Sequence, residues 1–177
     1  PPLAAVRCLY GPATPLPDAI SKEAFRSTMG LFAGAVTLIT TGEGDDRRGL
    51  TATAVCSLTD SPPSLLVCLN TSSETCDAVE RNGRFSVQLL SDVDQDLALA
   101  FAGATGLTGA DKFQAGEWTE CGGGQPRLHS ALASVSCVVD GPNTVGGHAV
   151  LIGRIVDVCL HPAREATDWS RAQRHGP

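Results

Sequence analysis

The chain has no CxxC pair, no apolar run near the ~20 residues that span a bilayer, and only two lysines, Lys22 and Lys112, among its 13 basic residues. It also lacks a GxGxxG after a first strand and a GxxxxGK[ST] loop, which excludes the usual dinucleotide and nucleoside-triphosphate cradles. With a net charge of −6 and a pI near 5.1, it offers no basic surface for nucleic acid. The start, Pro1 to Pro17, is Pro-rich without a basic stretch feeding an apolar one, so no signal peptide is expected there. The seven cysteines are odd in number, and Cys56, Cys68, Cys137 and Cys159 sit in apolar strand-like runs. They are therefore expected to be reduced thiols of a cytoplasmic protein, with no metal site.

What remains fits one domain: 177 residues, 42% hydrophobic and 18% charged. We expect an N-terminal arm over 1–20, a folded domain over 21–162 and a tail over 163–177. Ser21 predicts a cap for a helix over Lys22–Phe32, with Phe25, Met29 and Phe32 on one face. Ala35–Thr41 is β-rich, and Gly42–Arg48 is a polar turn. Gly49–Leu58 alternates as one strand, with Leu50, Ala52, Ala54, Cys56 and Leu58 opposite Thr51, Thr53, Val55 and Ser57.

Proline cannot donate to a ladder, so Asp60-Ser-Pro-Pro63 ends that strand, and Ser64–Asn70 is the next. A hydroxyl-rich loop, Thr71-Ser-Ser73, feeds a two-turn helix ending at Asn82-Gly83. Phe85–Leu90 is a strand, and Ser91 caps a helix through Phe101. Residues 103–127 form a long Gly-rich connection of functional or mobile character. Ser134–Asp140 and His148–Val158 are the last strands, joined by GPNTVGG. Short strands without regularly alternating long helices disfavour a doubly wound sheet and favour an antiparallel barrel with accessory helices.

Two features could carry chemistry. Thr51, Thr53 and Ser57 set a row of hydroxyls beside strand backbone, along which a planar heteroaromatic ring could lie. The loop Asn70-Thr-Ser-Ser-Glu-Thr75 places hydroxyls and N–H groups at a helix N-terminus, a site suited to a phosphate. The plainer reading stays open beside it, since Thr is a good strand former and Ser a good N-cap. His129 and His161 read as surface or packing residues. Arg47, Arg48, Arg81 and Arg84 could bind phosphate but read by default as solvated cations, while Trp118 and Trp169 could either stack on a ring or be buried.

The stretch Phe25–Thr41 (FRSTMGLFAGAVTLITT), then Gly49-Leu-Thr-Ala52, Ser57 and Pro62-Pro63, resembles the short-chain flavin reductase family. Gly83 with Phe85 and Val87, Leu97-Ala98 with Phe101-Ala102, Asp111-Lys-Phe113 and Trp118 follow in the same order. Then come Pro126, Leu128, Ala131-Leu-Ala133, Cys137, Gly147-His148 and Ile152-Gly-Arg154. The resemblance spans about residues 22–160 and implies a mainly β, antiparallel split β-barrel of the FMN-binding type with a few accessory helices.

It further implies that Thr51, Ala52, Thr53, Ala54 and Ser57 meet the isoalloxazine and that Cys68, Leu69 and Asn70 line the flavin. Ser73 and Thr75 would approach the phosphate, Lys112 and Phe113 the ring or its tail, and His148 the nicotinamide. The implied activity is NAD(P)H-dependent reduction of FMN or FAD by a homodimer that supplies a monooxygenase. Two other roles fit the same scaffold: a flavin enzyme acting directly on an organic substrate, and a non-catalytic flavin-binding module.

This chain departs from the family pattern at four places. Thr53 and Ala54 stand where Asn/Ser-Ser is usual, which removes one hydroxyl near the ring edge. Gly147 replaces the acid of a Gly-Asp-His motif and removes an orienting partner of His148. Glu74 and Asp77 put acidic charge where a cation would help the phosphate. The closing Gly-Arg-Tyr-like tail reads Asp168-Trp-Ser-Arg-Ala-Gln-Arg174.

Overall fold

The computed structural model describes residues 19–161; the expected arm up to residue 18, the tail, Cys8 and Trp169 lie outside the described residues. The chain divides into two compact units, one through Ala33 and one from Gly34. The described part of the first holds α1 (Lys22–Met29), whose N-cap Ser21 accepts the Ala24 N–H at 3.1 Å. The helix stops at Gly30, short of the expected Phe32, and none of its residues is buried.

The second unit is built on nine strands. They are β1 (Thr37–Thr41), β2 (Arg48–Ala52), β3 (Val55–Asp60), β4 (Pro63–Asn70), β5 (Arg84–Leu89), β6 (Trp118–Glu120), β7 (Pro126–Leu128), β8 (Ala133–Val145) and β9 (His148–Leu160). Helix α2 (Glu74–Asn82) follows β4, and α3 (Gln95–Phe101) follows β5. Gly83 closes α2 in the left-handed conformation, at φ 61°, as Asn82-Gly83 predicts. None of the described helices is long and apolar enough to cross a membrane.

Seven strands form one antiparallel sheet in the order β2-β1-β5-β8-β9-β4-β3. Its outermost strands, β2 and β3, are separated in sequence by Thr53 and Ala54 alone. Laid flat, the two edges would stand about 29 Å apart, six strand spacings. Three peptide steps reach at most about 11 Å. The sheet must therefore curl until its edges nearly meet, which makes it a split barrel. This corrects the expectation of one continuous strand over Gly49–Leu58: the chain leaves one edge at Ala52 and joins the other at Val55.

Two cores follow from that curl. Inside the barrel Ile39, Val67, Leu69, Phe85, Ala149 and Leu151 pack together. Outside it, Leu38, Leu97, Phe101, Phe113 and Leu128 form a second cluster. Strand β1 lies between the two and is buried along its whole length. Its threonines survive burial by donating their hydroxyls to backbone carbonyls: Thr37 to Ala52, Thr40 to Pro126 and Thr41 to Arg84, at 2.7, 2.9 and 2.7 Å.

The stretch 103–127 is more ordered than its glycines suggest. It holds a 3-10 turn over Gly109–Gln114 and the β6–β7 hairpin, and Trp118 packs at a tilt against Phe101 and edge-on against Phe113. Likewise β8 extends through Val145, so the connection to β9 shrinks to the turn Gly146-Gly147.

The hairpin is pinned by one fully buried side chain. The Gln88 amide donates to Ser86 Oγ at 2.8 Å and to the Pro126 carbonyl at 3.0 Å. Its Oε1 accepts from Ser134 Oγ at 2.6 Å and the Leu128 N–H at 3.2 Å. Six described cysteines are free, and burial pushes the Cys137 thiol up to about 12, which keeps it protonated and inert. Gln88→Ala leaves several of these buried groups without partners, so it should cost about 3 kcal/mol in chemical denaturation.

Candidate functional site

Because β2 pairs only with β1, its outer edge has no ladder partner. Across the split, pairing of β4 with β3 ends at Val55 opposite Val67, and Cys68 adds one bond from its N–H to the Ala54 carbonyl at 3.0 Å. Beyond it, Leu69 and Asn70 have β9 on one side and no strand on the other. The two edges bound a cleft of about 260 Å³ lined by Leu50 to Ala54, Cys68 to Asn70 and His148. The register places His148, the first residue of β9, directly opposite Asn70.

Eight of the thirteen residues singled out in the sequence thus come together in this cleft: Thr51, Ala52, Thr53, Ala54, Cys68, Leu69, Asn70 and His148. Ala52 and Ala54 add only methyl groups, so a flat ring could lie close to the backbone of the split. The Thr51 hydroxyl is already committed, donating to the Ala98 carbonyl at 2.6 Å and tying β2 to α3. Gly49, just before it, lies so near Phe101 that a Cβ would stand 2.6 Å from the ring.

The other five lie elsewhere. Ser57 is exposed on β3. Ser73 caps α2, donating to the Asn70 carbonyl at 2.8 Å and accepting from the Cys76 N–H at 3.1 Å. Thr75 is 1% exposed, and among the described residues its hydroxyl makes no hydrogen bond. Lys112 reaches the Gly49 and Phe101 carbonyls at 3.3 and 3.4 Å, while Phe113 is buried in the outer core.

Sequence reasoning named Arg48 and Glu74 separately and missed that they pair. Arg48 Nε meets Glu74 Oε2 at 3.3 Å, and Glu74 Oε1 accepts the Gly109 N–H at 2.9 Å. Two Arg48 bonds from Nη1, to the Asp45 and Arg47 carbonyls, hold the guanidinium beside the start of α2. The Glu74 charge is therefore compensated, and Arg48 belongs to the site's surroundings. No local pattern signals this pair, since its members lie far apart in the chain. Arg47 is likewise no plain solvated cation: it caps the Phe113 ring at 5.0 Å.

With this geometry in place, likeness to known proteins can be weighed. A family model described as flavin reductase like domain matches residues 29–176. The chain belongs to that family. It is 40% identical over 148 residues to the FMN reductase (NADH) RutF of Enterobacter cloacae, covering 84% of this chain and 89% of that protein. It is 39% identical over 137 residues to the 4-hydroxyphenylacetate 3-monooxygenase reductase component of Pseudomonas aeruginosa, covering 77% and 81%. Among solved structures, the NADH:FAD oxidoreductase of Streptomyces globisporus, in complex with NAD and FAD fragments, matches with a TM-score of 0.75 at 26% identity. That match covers 86% of this chain and 90% of the other.

The cap and the orphaned hydroxyl can be separated without any ligand. Ser73→Ala should lower the stability of the flavin-free protein by about 1 kcal/mol, the usual worth of an N-cap. Thr75→Val loses no hydrogen bond and should leave the melting temperature unchanged or higher.

Proposed function

We propose that this chain is an NADH-dependent flavin reductase that takes FMN as its flavin and passes the reduced flavin to a partner monooxygenase. The observation that carries the reading is the cleft at the split, where two strand edges without ladder partners face each other over small side chains. Such edges offer alternating N–H and C=O groups that match the donor and acceptor rim of a flavin ring. The similarity to FMN reductases and monooxygenase reductase components over most of the chain supports the same reading.

The residues present fit the cofactor. The Leu50–Ala54 and Cys68–Asn70 edges would receive the ring. The first amides of α2, at Glu74 and Thr75, face no helical partner, and the buried Thr75 hydroxyl is unspoken for. Helix N-termini favour anions, so these groups would receive the phosphate, with Arg48 and Lys112 as nearby cations. Flavin supplies the redox chemistry, accepting two electrons as hydride from NADH, and the protein's contribution is placement and exclusion of side reactions. His148, at the rim of the cleft, would meet the nicotinamide side. No protein nucleophile is required.

The active species in this reading is a homodimer. Support comes from the end of β9, which passes beyond its pairing with β4 at Arg154 and leaves Val156, Val158 and Leu160 exposed. Sedimentation equilibrium should return twice the chain mass, 18.3 kDa.

Purified protein loaded with FMN should bleach near 450 nm when NADH is added without oxygen, and regain colour in air. Bound flavin that never bleaches would favour a catalyst acting on an organic substrate. No flavin uptake would end both enzymatic readings. In the same assay Thr75→Val should weaken FMN binding about tenfold, the worth of a hydrogen bond to a charged group.

A further inference from the structure

His148 stands at a poorly supported place. It follows Gly146-Gly147, and a Cβ built on either glycine would find no atom within 4 Å. Gly146 holds a left-handed φ of 58°, which costs glycine nothing and leaves the turn soft. Among the described residues the imidazole makes no hydrogen bond, and Gly147 has no side chain to orient it. Besides the β8–β9 ladder, what holds the turn comes from the loop that follows β4. The Thr71 N–H donates to the Gly147 carbonyl at 3.0 Å, and the Thr71 hydroxyl donates to the same oxygen at 3.1 Å. Thr71 does not line the cleft, but its neighbour Asn70 does, directly opposite His148.

We propose that Thr71 is a positioning residue for His148: its hydroxyl fixes the Gly147 carbonyl and so sets where the imidazole stands at the rim of the cleft. The proposal rests on the reading of His148 as a nicotinamide-side residue. Thr71 links two parts of the site, because the loop that begins with it also forms the cap of α2. The strand register alone fixes the backbone level of His148. The second bond to Gly147 restricts rotation of the peptide just before it, and the direction of the imidazole depends on that peptide.

The test compares Thr71→Val, which keeps shape and N–H but loses the hydroxyl, with Thr71→Ser, which keeps the hydroxyl. In flavin-free protein, the His148 ring signals in NMR (identified by their loss in His148→Ala) should shift and broaden in T71V and return in T71S. In the loaded enzyme T71V should raise the KM for NADH about three- to tenfold, the range of one hydrogen bond. The kcat and the FMN affinity should stay within about twofold, and T71V should add nothing in the His148→Ala background. Ring signals that ignore Thr71, or a T71V effect that persists without His148, would overturn the proposal. If His148→Ala leaves NADH kinetics unchanged while the ring signals still respond to Thr71, it is the nicotinamide-side reading of His148 that fails.

Discussion

The two-residue link at Thr53 and Ala54 constrains everything else in the second unit. It ties the last strand at one edge of a seven-stranded sheet to the last strand at the other, over a distance that a flat sheet could not meet. Curling follows from chain length, and an enclosed inner core follows from curling. So does an open seam: where the chain crosses between edges, Ala54 keeps one bond to Cys68, and backbone on both sides is left with free groups. A protein interior would find that costly, since unpaired backbone groups need partners. Here they border a cleft, where water or a flat polar ring can serve them.

The outer layer depends on the same curl. Strand β1 is covered on both faces, so its polar side chains had to be absorbed rather than exposed. Thr37, Thr40 and Thr41 spend their hydroxyls on carbonyls, and the Gln88 amide gathers Ser86, Ser134, Pro126 and Leu128 into one network. A buried amide whose donors and acceptor are all used specifies one docking of the β6–β7 hairpin. Phe113 and Trp118 then fall into the second core.

Local signals in the sequence reached the elements and much of the cleft. Ser21, Ser73 and Asn82-Gly83 marked helix ends correctly because capping is chemistry among near neighbours. The alternation of Leu50 and Ala52 with Thr51 is real, but it breaks at Thr53-Ala54: Val55 packs into the same inner core as Leu50 and Ala52, while Cys56 and Leu58 are exposed. The phase of the pattern changes at a crossing that only the strand order reveals. The cleft residues were reached through family resemblance; the hydroxyls of Thr51 and Ser73 then proved to have structural partners. The partners of Arg48 and Phe113 were not legible, because Glu74 lies far from Arg48 in the chain and the neighbours of Phe113, Phe101 and Trp118, arrive from separate segments.

The pairing of β8 with β9 across a two-glycine turn has a kinetic side. That hairpin is the most local large pairing in the molecule and can form within microseconds once its turn is made. Strand β9 must then find β4, whose residues lie about half the chain away, with α2, β5 and α3 synthesised in between. Contacts of such long sequence separation are slow to form, because loop-closure entropy is lost before any ladder bond is gained. The closure that brings Asn70 to His148 is therefore expected to be the slowest of these pairings to form. The cleft is thus bounded by the ladder whose pairing must close the longest stretch of chain in the sheet.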